Sequence, residues 1–239
     1  MTLLTLENLT KSYGAIAVTN DLSLSVRQGE LVGILGPNGA GKTTLFNLIT
    51  GTVRPSKGRI SFDGRDVTAL DADRRCHLGI ARSFQVPHPF VGMTVFENIL
   101  VGATFGRGRA APQARALEVM ELTGMGPRAN QLAGALSLLD RKRLELARAL
   151  AADPKLLLLD EIAGGLTDSE CGALLDMIRG VHAQGVTIIW IEHVVHALME
   201  VAKRLVVVDF GRLVTQGDPA RVMASPEVKA IYMGEDALG

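Results

Sequence analysis

Cysteine is nearly missing from this chain. The two present, Cys76 and Cys171, lie far apart and at no metal or redox spacing, which excludes a disulfide scaffold and suits a reducing compartment. Aromatic residues make up 4%, too few for a surface that holds single strands by stacking bases. Neither sign of charge dominates. With 25 Lys and Arg against 25 Asp and Glu, no overall basic face recruits nucleic acid, and no such partner is expected. Gly106-Arg107-Gly108-Arg109 comes nearest to a basic patch, but four residues beside an Ala-rich helix read as a solvated loop. Long apolar runs are missing too. A membrane span needs about 18 such residues, and the best stretches, 156–159 and 186–191, are strand-length. Met1-Thr2-Leu3-Leu4-Thr5-Leu6-Glu7 offers no basic region, long apolar stretch or cleavage site of a secretory signal. The expectation is a chain that does not cross a membrane by itself.

What is present is apolar and rich in glycine: 47% hydrophobic, with 26 Gly in 239 residues. A chain of this length makes between one and two units of about 150 residues and buries on the order of 70% of its unfolded surface. Leu31-Val32-Gly33-Ile34-Leu35 reads as a buried strand, followed by a Gly-rich turn and an apolar helix over 42–50. Further buried strands fall at 155–160, 186–192 and 205–210, with helices over 169–183 and 194–202 between them. Such alternation predicts an α/β fold with a mainly parallel sheet and helices on its faces. The first 30 residues are Thr-rich, alternating and broken at Gly14 and Gly29, which predicts flanking antiparallel strands. From 94 to 150 the pattern is mostly helical, interrupted at 106–109 and at Gly124-Met125-Gly126-Pro127. The chain reads as one domain over 1–239: a core at about 1–86 and 152–239, and a helical subdomain inserted at about 87–151.

Two segments carry chemistry. Gly36-Pro37-Asn38-Gly39-Ala40-Gly41-Lys42-Thr43 is a full match to the P-loop pattern. Glycines let successive N–H groups curl around phosphate oxygens, and the helix that follows points its positive end at the same charge. Lys42 is expected to reach the β- and γ-phosphates and Thr43 to ligate Mg²⁺, with Thr44 next to them. The second segment, Leu156-Leu157-Leu158-Leu159-Asp160-Glu161, is an apolar strand ending in two acids. Such a pair can cap a helix or sit in a solvated turn. Downstream of a P-loop, it reads as Asp160 holding Mg²⁺ and Glu161 polarising an attacking water. The reading so far is a P-loop nucleotide hydrolase.

The remaining landmarks resemble the ATP-binding subunits of ABC transporters across essentially the whole chain. Tyr13, in Lys11-Ser12-Tyr13-Gly14, sits where that family stacks an aromatic ring on adenine. Gln85, in Arg82-Ser83-Phe84-Gln85, matches the glutamine that reaches Mg²⁺ and links core to helical insertion. His193, in Trp190-Ile191-Glu192-His193, matches the histidine at the γ-phosphate, and Gly164-Gly165-Leu166-Thr167-Asp168 matches the loop touching the opposing subunit. Singly, Tyr13 reads equally as packing, Gln85 as an exposed amide and His193 as a helix cap. Their order along the chain is the specific feature.

One departure stands out. The family's Leu-Ser-Gly-Gly-Gln signature, which serves the partner subunit's ATP, is here Leu136-Ser137-Leu138-Leu139-Asp140. Ser137 is expected to cap the helix that follows. Leucine denies the close backbone approach that glycine allows, and Asp140 would repel a triphosphate unless Arg141 or Arg143 offsets it. The resemblance therefore implies either an asymmetric heterodimer with one impaired ATP site or a different backbone path of equal effect. Ile162 replaces a usual proline after the glutamate, and Cys76 and Cys171 read as packing residues.

Within the family, three stretches resemble the ATPases of branched-chain amino-acid importers. They are Gly79-Ile80-Ala81-Arg82-Ser83-Phe84-Gln85, Met93-Thr94-Val95-Phe96-Glu97-Asn98 and the tail at 225–235. The resemblance implies two integral-membrane permease subunits and a second ATP-binding subunit as partners, and indirectly a solute-binding protein. It places the chain at the cytoplasmic face of the membrane, with ATP and Mg²⁺ bound. A soluble ATPase switch with no membrane partner is the alternative.

Overall fold

The computed structural model describes residues 1–108 and 110–236, and of 233–236 the backbone alone. Arg109 of the basic loop and the side chains of Met233, Gly234 and Glu235 in the tail lie outside the described residues. In chain order the elements begin with β1 (Thr2–Tyr13), β2 (Ile16–Arg27), β3 (Leu31–Leu35), α1 (Lys42–Thr50), β4 (Lys57–Phe62) and β5 (Arg65–Asp66). Then come α2 (Ala72–Leu78), β6 (Ile80–Arg82), α3 (Val95–Phe105), α4 (Pro112–Leu122), two single 3₁₀ turns, α5 (Leu138–Ala151) and β7 (Leu156–Asp160). The chain continues with α6 (Asp168–Ala183), β8 (Thr187–Ile191), α7 (Val195–Val201), β9 (Arg204–Asp209) and β10 (Arg212–Gly217). It ends with α8 (Pro219–Ala224) and α9 (Pro226–Asp236). Contacts divide the chain into two compact bodies, residues 1–72 with 189 onward, and 73–188.

In the first body, β2-β1-β4-β5 form an antiparallel sheet. Its alternation is legible in β2, where Leu22, Leu24 and Val26 are buried and Asp21, Ser23, Ser25 and Arg27 exposed. Register slips fall near Asn8 and Asp21. Both have positive φ, at 50° and 55°, and the Asn8 amide donates to the Asp21 carboxylate at 2.8 Å. β9 pairs in parallel with β3 and antiparallel with β10. Next to them Trp190, the chain's one tryptophan, is fully buried with no hydrogen-bond partner for its indole N–H among the described residues.

In the second body β6 pairs in parallel with β7, whose five residues are all buried. An apolar run of this kind is what a strand covered on both faces requires. α3 packs against α4 and α5. Asn98 of α3 is fully buried and ties down the loop before its own helix. It accepts from Phe90 N at 2.9 Å and donates to the Phe90 and Thr94 carbonyls at 3.1 and 2.9 Å. Thr94 and Glu97 cap α3 reciprocally. Arg107, in the loop read as solvated, ion-pairs with Asp153 at 2.7 Å.

Among the described residues no helix is long and apolar enough to cross a membrane. Cys76 and Cys171 are free thiols. Cys171 is buried as a packing residue should be, while Cys76 is only half-buried, its thiol pushed up by burial and by the nearby Asp73 carboxylate.

Candidate functional site

The loop between β3 and α1 is shaped by what lies under it. A Cβ at Gly36 would stand 2.0 Å from the Val208 carbonyl oxygen, and one at Gly41, where φ is 96°, 2.4 Å from that of Val18. Only glycine fits either place. The hairpin turn between β9 and β10 supports the loop from below, with Gly211 N donating to Ala40 O at 2.9 Å. Its Cα lies 3.6 Å from the position a Gly41 Cβ would take.

α1 starts at Lys42 with no side-chain cap. Its first N–H groups and the positive end of its dipole are thus left for an anion. Lys42 is 5% exposed and donates to the carbonyls of Gly36 and Pro37, at 2.5 and 2.8 Å. A buried ammonium held by loop carbonyls is a cation stored where a phosphate can recruit it. Asn38, Gly39 and Thr43 are exposed, Pro37 and Thr44 half-buried. This loop and helix fit the phosphates of ATP.

Tyr13 ends β1, 50% exposed, with the Lys11 ammonium 5.1 Å from its ring centroid. Half of this residue's surface is thus open to solvent. His193 is exposed at the end of the β8–α7 connection and provides no side-chain cap to α7. Sequence reasoning missed its neighbour. Glu192 is 1% exposed and accepts from the N–H groups of His193 and Val194 at 2.9 and 3.2 Å. Its carboxylate fixes the turn that presents His193.

The second body gathers the acids. Asp160, at the end of β7, is buried and ion-paired with Arg82 at the end of β6. Parallel pairing of these strands lays the two residues at neighbouring ends. Glu161 follows with φ 47°, a left-handed conformation that non-glycine residues rarely adopt. Gln85 is exposed, and its amide N–H donates to the Glu161 carboxylate, so it is no idle surface amide. Ile162, in place of the expected proline, is 1% exposed. Among the described residues no cluster of three His, Cys, Asp or Glu could hold a metal. Thr43 in the first body, and Gln85 and Asp160 in the second, each carry side-chain oxygens of the hard kind that Mg²⁺ takes.

The signature segment differs from expectation in one partner. Ser137 caps α5, accepting from Asp140 N at 3.2 Å and donating its own hydroxyl to Asp140 at 2.8 Å. Asp140 is 5% exposed and ion-paired with Arg128 at 3.0 Å and, more loosely, Arg143 at 3.9 Å. Arg141, expected to share this task, donates to the Gly134 carbonyl instead. Arg128 comes from a 3₁₀ turn ten or more positions upstream, a long-range partner no local pattern could name. Leu138 is 49% exposed, and Leu139 is half-buried. The two helix N-termini thus contrast: α1 has no side-chain cap, whereas α5 is capped by the Ser137 hydroxyl.

Comparison with known proteins identifies the family. A family model described as ABC transporter matches residues 19–164, more than half of the chain. The lipopolysaccharide export system ATP-binding protein LptB of Haemophilus influenzae is 37% identical over 98% of both chains. The branched-chain amino acid transport ATP-binding protein LivG of Salmonella typhimurium is 34% identical, again over 98% of both. Among solved structures, the ADP conformation of MJ1267, an ATP-binding cassette of an ABC transporter, superimposes with a TM-score of 0.89. It shares 29% identity over 98% of this chain and 99% of its own. The dimeric cassette MJ0796 reaches 0.82 at 25% identity, over 91% and 99%. The α/β architecture expected from the sequence is that of these cassettes, and the chain belongs to the ATP-hydrolysing subunits of ABC transporters.

Proposed function

We propose that this subunit powers a multi-subunit importer of branched-chain or related small amino acids and amides. The observation that carries ATP as the fuel is the uncapped N-terminus of α1 with buried Lys42 at its first position. In this reading the N–H groups of 38–44 and Lys42 hold the β- and γ-phosphates while the exposed Tyr13 ring stacks on adenine. Thr43, Gln85 and Asp160 supply oxygens to Mg²⁺, which when bound offsets charge on the phosphate oxygens. Glu161 orients a water and takes its proton as the water attacks the γ-phosphorus, the bond to the β–γ bridging oxygen breaks and ADP leaves, and His193 donates to a γ-phosphate oxygen as charge develops there. The chain works as one domain, its core at 1–86 and 152–239 and its helical subdomain at 87–151. It sits at the cytoplasmic face with two permease subunits, a second ATP-binding subunit and, indirectly, a solute-binding protein.

The signature segment serves the partner's ATP poorly in this proposal, so the working dimer is asymmetric. What supports this is the Ser137 hydroxyl, which is engaged by both the N–H and the carboxylate of Asp140 where an incoming phosphate would otherwise meet it.

Likeness to LivG supports amino-acid import, and the 37% identity with LptB favours lipopolysaccharide export as a second reading. Affinity purification of the chain from its native membranes, with mass spectrometry of its companions, separates them. Two polytopic proteins recovered with a solute-binding protein and a second cassette are expected. Export components in their place would move the assignment to the second reading. Recovery of soluble partners alone would remove both and leave an ATPase switch.

A further inference from the structure

Beyond its first turn, α5 carries three charged side chains with no role in the proposal above. Lys142 and Glu145 are 4% and 5% exposed, and Arg148 is half-buried. Burying charge is costly unless its partners are good ones, and the partners here are informative. Lys142 donates to the main-chain oxygens of Ile162, at 2.9 Å, and of Gly164, just past Glu161. Glu145 accepts from the N–H groups of Phe84 and His88, which bracket Gln85. Arg148 holds the same carboxylate at 3.1 Å, donates to the His88 carbonyl at 2.9 Å and lies 4.8 Å over the Phe90 ring.

The Gln85 and Glu161 side chains these loops deliver are themselves hydrogen-bonded. Lys142 and Arg148 stand six residues apart, about 9 Å along a rigid helix. One inflexible element thus grips both loops through their backbones.

We infer that α5 positions Gln85 and Glu161 together, Lys142 fixing the loop of one and Glu145 with Arg148 the loop of the other. A displacement of α5 therefore reaches both side chains at once. This rests on the assignment of Gln85 and Glu161 to the ATP site. None of the three residues touches ATP in that assignment, so they are positioning residues. Glu145 is also the least replaceable of them: its carboxylate collects N–H groups on either side of Gln85, and a shorter or apolar side chain leaves both without it.

The test is steady-state ATP hydrolysis by the assembled membrane complex, purified through this chain carrying Glu145→Gln or Arg148→Lys, each in the native and the Gln85→Ala background. Far-UV circular dichroism melts establish that each variant is folded. In the native background kcat is expected to fall about tenfold, the scale of a misplaced positioning contact, with KM for ATP unchanged. In the Gln85→Ala background neither substitution should lower kcat further, because the residue they position is gone. Equal losses in both backgrounds, a rise in KM matching the fall in kcat, or native turnover in both variants would overturn the inference. Arg148→Lys keeps the charge while losing the guanidinium fork, so it carries the test if Glu145→Gln does not fold. Native turnover in Gln85→Ala alone would instead fault the assignment of Gln85, a result separable from any outcome at Glu145.

Discussion

At the residue scale, the proposed function divides binding from chemistry between Lys42 and Glu161. Lys42→Ala removes the only ammonium in the P-loop, and is expected to abolish nucleotide binding in equilibrium titration with a fluorescent ATP analogue. Glu161→Gln keeps the shape but not the proton affinity. It should bind ATP normally and hydrolyse it about a hundredfold or more slowly, the weight of a lost general base. Normal turnover in that variant would remove the assignment.

The backbone of Glu161 adds a second expectation. A non-glycine residue at φ 47° stores about 1–3 kcal/mol of strain. Glu161→Gly should therefore be inactive yet more resistant to urea, by about 1 kcal/mol, and a lower unfolding midpoint would show that the strain is absent. Lys42, Thr43 and the acid pair were legible because phosphate chemistry fixes residue type and spacing within a few positions. Arg82, Glu192 and Arg128 were not. Each acts on a neighbour through folding, and nothing in the local pattern around Arg128 points to Asp140.

At the element scale, α5 is where cap, charge and packing meet. Ser137→Ala removes its cap and should cost about 1 kcal/mol of unfolding free energy, measured by urea titration. Burial pushes the Glu145 carboxyl above the ordinary glutamate range of 4.5 despite the adjacent Arg148. The folded chain then holds this proton more tightly than the unfolded one. Its contribution to stability is complete below 4.5 and is lost as pH rises through the elevated folded value. The unfolding free energy of Glu145→Gln, relative to the native chain, is expected to climb over that window, and a flat difference would contradict the shift.

Elements differed in how far their sequences announced them. β7 and α1 were read almost to the residue, since an unbroken Leu run and a P-loop leave little choice. β4, β5 and β10 escaped, being short and exposed along much of their length. Their pairing is decided by neighbours far away in the chain.

At the scale of the whole molecule, asymmetry is the property to test. The Glu161→Gln chain should remain monomeric with ATP in size-exclusion chromatography. Replacing Leu138 and Leu139 by glycine and Asp140 by glutamine should allow it to pair with itself. Pairing of both chains alike, or an unchanged ATP occupancy and turnover in the assembled complex, would show that the leucine signature impairs nothing.

Trp190 bears on how such events can be followed. A solitary indole, buried and with no partner for its N–H among the described residues, fluoresces at the blue end of its range, and its emission comes from one place on β8. That place lies three residues before His193. Nucleotide-driven movement of the histidine turn, and the first opening of the strand during unfolding, would each change the colour or intensity of this emission. The protein therefore supplies its own optical clock, readable in stopped flow without a label.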